Sequence, residues 1–289
     1  MGYKNFTEKM MKVVFFVCGI TAIVFTALIS IYMVVSGLPA ILEIGIVEFM
    51  FGTIWKPSAS EASFGILPLL LSSLYATVVA CLLGVPIGVL TAVFLSKIAS
   101  KKIASVIRTA VELLASIPSV VYGLVGAMLL LPIVADVFNL PKGSGLFSAI
   151  IVLCVMILPT IISLSENALN AVPKEYEEAS LALGASQTET IFKVSIPAAK
   201  SGIIAGVILG VGRAIGETMA VMMVAGNVAN MPKLFESVAF LTTAVAKDMG
   251  YASGLHRESL FSVALILLIF ILAINLFMNF IVKKGENSR

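Results

Sequence analysis

The sequence predicts an all-α, polytopic membrane bundle of six transmembrane helices. Apolar residues make up 60% of the 289 and charged residues only 12%. The apolar residues collect in runs near the roughly 20 residues that cross a bilayer. Between the runs, lysine and arginine concentrate in alternate connections, which is how a multi-span chain records its orientation.

The runs fall at about 13–36, 65–96, 110–134, 146–165, 201–229 and 259–282. The first follows Lys4, Lys9 and Lys12 and lacks a small-x-small cleavage site. It is too long for a signal-peptide core and reads as a retained helix. Residues 1–64 therefore comprise one helix and an outer segment, and 65–289 form the core. The second run carries Gly84, Pro86 and Gly88, a cluster expected to kink a membrane helix. Ile117-Pro118-Ser119 interrupts the third in the same way.

Placing the N-terminus inside gives thirteen basic residues in the inner connections (Lys4, Lys9, Lys12, Lys97, Lys101, Lys102, Arg108, Lys174, Lys193, Lys200, Lys283, Lys284, Arg289). Five occupy the outer ones: Lys56, Lys142, Lys233, Lys247 and Arg257. Both termini and residues 166–200 are then expected in the cytoplasm.

That inner loop is patterned for helices. Pro173 suits a first helical position, and Glu175, Glu177 and Glu178 complement a helix N-terminus. Gly184 reads as a helix stop. Ser186 and Glu189 form a capping box that opens a second helix, which Pro197 ends. A capped two-helix knob between apolar runs is more structure than a plain connector needs.

The fifth run contains Gly202, Gly206 and Gly210, two overlapping G-x-x-x-G units that permit close helix approach. At 100° per residue Arg213 lies about 20° from Gly206, and Glu217 about 40° beyond Arg213. A charge at a helix centre costs on the order of 3 kcal/mol, so Arg213 asks for a reason. It is either half of an ion pair with Glu217 that fastens helices or an anion contact. The guanidinium fork suits phosphate.

The composition excludes other classes. A net charge of +3 is no nucleic-acid footprint. Cys18, Cys81 and Cys154 sit in apolar runs and read as small hydrophobes. A lone His256 and scattered acids predict neither a metal site nor a Ser/His/Asp constellation, and no cofactor is expected. No P-loop pattern occurs, so ATP binding would need another chain.

Glu178-Ala179-Ser180, then Gly184, then Val194-Ser195-Ile196-Pro197 has the spacing of the coupling loop in permease subunits of ATP-binding-cassette (ABC) importers. The chain resembles that family, with alanine replaced by Ser180. It is most similar to the phosphate-importer permeases at Glu112-Leu-Leu-Ala-Ser-Ile-Pro118-Ser-Val-Val-Tyr122-Gly123, at Gly212-Arg213-Ala-Ile-Gly216-Glu217-Thr218-Met219-Ala220-Val221 and at Ser253-Gly254-Leu255-His256. The resemblance implies a type I importer fold in the inner membrane. It also implies a PstA-like second permease, two copies of a cytoplasmic ATP-binding subunit and an extracytoplasmic phosphate-binding protein. Glu178, Ala179 and Gly184 would serve ATPase coupling, and Arg213 and Glu217 the substrate path. An ATP-independent secondary transporter explains the spans and the buried charges but not the knob, whereas a permease for another oxyanion is not distinguished by these residues.

Overall fold

The computed structural model describes residues 2–286; residue 1 and 287–289, including Arg289 of the basic count, lie outside. Helix α1 (Gly2–Ile44) leads through α2 (Ile46–Phe51) to a hairpin of β1 (Trp55–Lys56) and β2 (Ser63–Phe64). Then follow α3 (Leu67–Val93), α4 (Lys101–Ser116), α5 (Ser119–Val125), α6 (Leu131–Val137) and α7 (Leu146–Asn170). The inner loop forms α8 (Lys174–Ala182), α9 (Gln187–Thr190) and α10 (Ile196–Ala198). The chain ends with α11 (Lys200–Gly216), α12 (Met219–Val224), α13 (Leu241–Asp248) and α14 (Gly254–Glu286). Single π-turns extend α3 (Phe94–Ile98), join α5 to α6 (Gly126–Leu130) and join α9 to α10 (Ile191–Ser195).

Among the described residues, five helical stretches are long and apolar enough to cross a membrane: Glu8–Ile44, Leu67–Ile98, Ser119–Val137, Leu146–Asn170 and Gly254–Phe277. A bent pair, Gln187–Ala198 with Lys200–Gly216 at 69°, raises the number to six. Two expectations need correction. The third span is 119–137 rather than 110–134, because Pro118 disfavours a helical conformation at its predecessor and Ile117 is extended (ψ 127°). The fifth run is not one helix over 201–229. Its glycine-rich end has low helix propensity, the chain leaves the helix at Glu217 (ψ 131°), and α12 is a separate piece. Gly84, Pro86 and Gly88, the cluster expected to kink the second span, lie within α3, which runs through them unbroken.

The glycines of α3 instead permit close packing. A Cβ added at Gly84 would lie 2.8 Å from Ile157, and one at Gly88 2.8 Å from Ile161, both on α7. Helix α11 approaches α7 from its own side. An added Cβ would meet Ala168 at 2.4 Å from Gly202, Leu164 at 3.0 Å from Gly206 and Ile161 at 2.9 Å from Gly210. The expected packing face of α11 is therefore occupied. The α1 helix packs on α14, where the Ser262 hydroxyl donates to the carbonyls of Gly37 and Glu258. The segment between α1 and α3 buries Phe49, Trp55 and Phe64 with Leu69, Leu241 and Leu260.

Overpacking a close helix contact destabilises by about 1–3 kcal/mol. Gly206→Leu is expected to lower the thermal midpoint of the detergent-solubilised protein by several degrees. Gly212→Ala, at a position with nothing within 4 Å of an added Cβ, should leave it unchanged.

Candidate functional site

Two regions collect the chemistry: the inner-loop knob and the broken helix joining α11 to α12. In the knob, Pro173 is the N-cap of α8 rather than its first helical residue (ψ 134°). Gly184 adopts φ +89°, the left-handed turn expected of a helix stop. The Ser186–Glu189 capping box forms in both directions: the Ser186 hydroxyl accepts from the Glu189 N–H at 3.3 Å, and the Glu189 carboxylate accepts the Ser186 N–H at 3.1 Å. Pro197 lies inside the last turn, and the chain bends into α11 just beyond it. Glu178, Ala179 and Gly184 are exposed, as are Tyr176, Leu181, Leu183 and Phe192; Leu183 is 90% exposed. Such an apolar cluster on an otherwise polar knob is the signature of a contact surface.

Sequence reading missed the residues that fasten the knob. Lys97, in the π-turn ending α3, contacts Glu177 of α8 at 2.5 Å, and both side chains are largely buried. The Ser195 hydroxyl donates to the same Glu177 oxygen at 2.9 Å. The Ser96 hydroxyl donates to Asn170 Oδ1 at 2.6 Å, and Gln187 Nε2 to the Lys97 carbonyl at 3.4 Å. Beneath them Ala92, Val93, Leu169, Val172, Ile191 and Ile203 form a small core. Only the surplus of acids in α8 hinted at this joint, and nothing in the spacing named Lys97. Nearby, Arg108 of α4 pairs with the buried Glu166 of α7.

In the second region, Arg213 stands in the last turn of α11, partly buried. Among the described residues no carboxylate oxygen lies within 4.0 Å of its guanidinium. Glu217 lies beyond the end of the helix, so the continued helical face expected for the two charges does not exist. Its carboxylate instead accepts the Ala220 N–H at 3.1 Å, satisfying a donor left free at the start of α12. Its carbonyl accepts the Thr242 hydroxyl of α13 at 2.9 Å. Helix α5 packs against α12, with Gly123 at Ala220. Gly212 and Gly216 face open space. The arrangement places a partly buried cation, without a carboxylate partner among the described residues, beside a helix break with open space at Gly212 and Gly216.

The three cysteines are free thiols, Cys154 buried, Cys81 half-buried and Cys18 exposed on α1. His256 is mostly buried, 3.9 Å from Asp248. No cluster of three potential metal ligands occurs among the described residues.

The knob is expected to loosen in acid. Burial alone raises the Glu177 carboxyl, but the bonds from Lys97 and Ser195 outweigh it and hold it below its usual value. The Ser186 N–H and hydroxyl, with Lys193, pull Glu189 down to about 2. Depressed carboxylates stabilise fully above the ordinary value of about 4.3, and the contribution disappears as pH falls toward the folded values. Amide-exchange protection of 187–195 should be flat from pH 7 to 5 and fall below about 4. Glu177→Gln should lower the plateau and flatten that part of the fall.

The family of binding-protein-dependent transport system inner membrane components matches residues 84–285. A probable ABC transporter permease protein, YqgH of Bacillus subtilis, is 37% identical over 257 residues, covering 87% of this chain and 83% of the relative. The phosphate transport system permease protein PstC of Pasteurella multocida is 31% identical over 265 residues, covering 84% and 82%. Among solved structures, the inward-facing MetNI methionine ABC transporter aligns with a TM-score of 0.57 at 23% identity, over 76% of this chain and 94% of that one. A bacterial alginate ABC transporter, in complex with its periplasmic protein, aligns with a TM-score of 0.65 at 13% identity, over 94% of each chain. The paired glycine seams, the inner knob and the broken α11–α12 segment thus lie in a multi-pass membrane protein that belongs to the binding-protein-dependent ABC-importer permeases.

Proposed function

We propose that the chain is a permease subunit of an ATP-driven phosphate importer. It forms the path together with a PstA-like permease and couples to two copies of a cytoplasmic ATPase. An extracytoplasmic phosphate-binding protein delivers the substrate. The observation that carries the phosphate reading is the unpaired Arg213 guanidinium at the helix break, next to the open Gly212 and Gly216. A bidentate donor in a water-poor bundle fits a tetrahedral oxyanion. The relatives named as phosphate permeases point the same way.

Transport proceeds by alternating access. The exposed apolar surface of the knob, with Glu178 and Ala179 on α8, meets the ATPase, and Gly184 holds the two knob helices at their angle. The contacts of Lys97 with Glu177 and of Gln187 with the Lys97 carbonyl carry knob displacement into the π-turn that ends α3. The excess of basic residues in their connections supports a cytoplasmic knob and cytoplasmic termini.

Arg213→Ala is expected to reduce phosphate uptake in reconstituted vesicles to background, with the subunits still assembled, and Arg213→Lys should retain a fraction. Glu217→Gln keeps an acceptor for the Ala220 N–H. The double variant Arg213→Ala with Glu217→Gln should therefore assemble and remain inactive, because the anion still lacks its cation. Substantial uptake by the double variant would assign both residues to packing; competition by sulfate as strong as by phosphate would move the substrate to another oxyanion.

A β-branched residue at Gly184 is strained by about 1–2 kcal/mol in the left-handed conformation. Gly184→Val should lower phosphate-dependent ATP hydrolysis by about tenfold, while Gly184→Asn, which tolerates positive φ, should keep most of it. Equal rates in the two variants would remove Gly184 from coupling.

A further inference from the structure

The α4–α5 helix breaks at Pro118 and the α11–α12 helix at Glu217, and the halves beyond the two breaks pack on each other. A Cβ added at Gly123 of α5 would lie 2.8 Å from the Ala220 Cα, and one at Gly126, just past α5, 2.9 Å from Val224. This is a glycine seam of the same kind as those along α7, and it joins α5 closely to α12. The halves before the breaks are fixed elsewhere. Helix α11 lies along its own seam with α7, and α4 holds α7 through Arg108 and the buried Glu166.

The proline break disturbs the last carbonyls of α4. The residue four beyond Leu114 is Pro118, which has no N–H to give. The Ile117 N–H reaches back to the Leu114 carbonyl at 3.2 Å, and so does not serve Leu113, its usual helical partner. Two side-chain hydroxyls fill the gap. Ser116, inside α4, donates to the Leu113 carbonyl at 2.7 Å. Tyr122 donates to the Leu114 carbonyl, also at 2.7 Å, from the far side of the break. Ser116 serves its own helix, whereas Tyr122 bridges the two halves. Its chain neighbour is Gly123, which meets Ala220, and the Ala220 N–H is in turn held by the Glu217 carboxylate at 3.1 Å. A short path thus joins the two breaks, one turn from Arg213.

We propose that Tyr122 is a positioning residue for the substrate path. Its hydroxyl latches α5 to α4 across the Pro118 break, and through the α5–α12 seam the same bond holds the α11–α12 break and Arg213 in place. Released, α5 and α12 swing together about the two breaks. The bond is built to be released: Tyr122 is half-buried, and the Leu114 carbonyl keeps the Ile117 N–H when the hydroxyl leaves, so opening strands no acceptor. The consequence for transport rests on the reading of Arg213 above; the latch itself does not.

The test places spin labels on either side of the Pro118 break, at Val106→Cys of α4 and Leu129→Cys beyond α5, both exposed positions. Cys18→Ala, Cys81→Ala and Cys154→Ala remove the native thiols. Distances are read in the complete transporter in nanodiscs, at rest and after trapping with ATP and vanadate. With Tyr122 intact, one distance should dominate at rest and a second should appear on trapping. Losing a hydrogen bond of this kind shifts a two-state ratio by about fivefold, so Tyr122→Phe should raise the second population at rest by that factor. Replacing Tyr122 by para-aminophenylalanine, which keeps a donor at the same reach, should restore the original ratio. Ser116→Ala removes a hydroxyl that stays within α4 and should leave the ratio unchanged. In Tyr122→Phe, ATP hydrolysis without phosphate should rise severalfold while phosphate carried per ATP falls; a merely structural loss would lower both rates together. A resting distribution unchanged by Tyr122→Phe overturns the latch, as does an equal shift in Ser116→Ala. If the distances shift as expected but the transporter with Tyr122 intact takes up no phosphate, the substrate reading fails and the latch stands.

Discussion

Helix α7 is the post on which the molecule is built, and the constraint is how closely two other helices approach it. In a bilayer the apolar side chains gain nothing by leaving lipid for protein, so helix association relies on close van der Waals contact. Gly84 and Gly88 admit α7 from the α3 side, and Gly206 and Gly210 from the α11 side. Ile161 lies against a glycine on each flank, at Gly88 and at Gly210. Two-thirds of the best α7 window is buried, against a third or less for the other spans, so α7 has little freedom and its two neighbours are indexed against it.

This seam fixes the rest. Because α11 is held along Gly202–Gly210, the glycine-rich turns beyond the seam are the first place where the helix can end, and it ends at Gly216. The knob is inserted between the two seam helices and is pinned to the third through Lys97 and Glu177. A displacement of α8 is thus shared among α3, α7 and α11, whereas α1 touches the assembly chiefly through α14. The half-buried ion pair is a means of alignment more than of stability, since partial desolvation offsets much of the attraction between its charges.

Much of this was legible in the sequence. The capping box at Ser186 and the turn at Gly184 depend on neighbours within a few residues, and local chemistry determines them. The helix stops were harder. Proline plus two glycines in α3 carry the same local signal as proline at 118, yet one helix continues and the other breaks. In α3 the glycines are held against Ile157 and Ile161, so packing retains the helix; at Ile117 no comparable seam opposes the break. The Lys97–Glu177 joint spans eighty residues of sequence, and no spacing rule reaches it. The i, i+4 relation of Arg213 and Glu217 misled for a related reason: it presumes a continuous helix across glycines that favour ending one.

The break also explains how an arginine is tolerated there. Ending α11 at Gly216 converts Arg213 from a mid-helix residue into a last-turn residue, close to carbonyls without amide partners. The negative end of a helix favours a cation by about 0.3–1 kcal/mol, and up to ~2 kcal/mol where partly buried. That offsets part of the roughly 3 kcal/mol that a central arginine costs, and Glu217, engaged at the start of α12, supplies no ion pair. A permanent carboxylate would occupy the guanidinium fork and close it to any other anion. Partial compensation by backbone dipoles leaves the fork open, which is what the anion contact proposed for Arg213 requires.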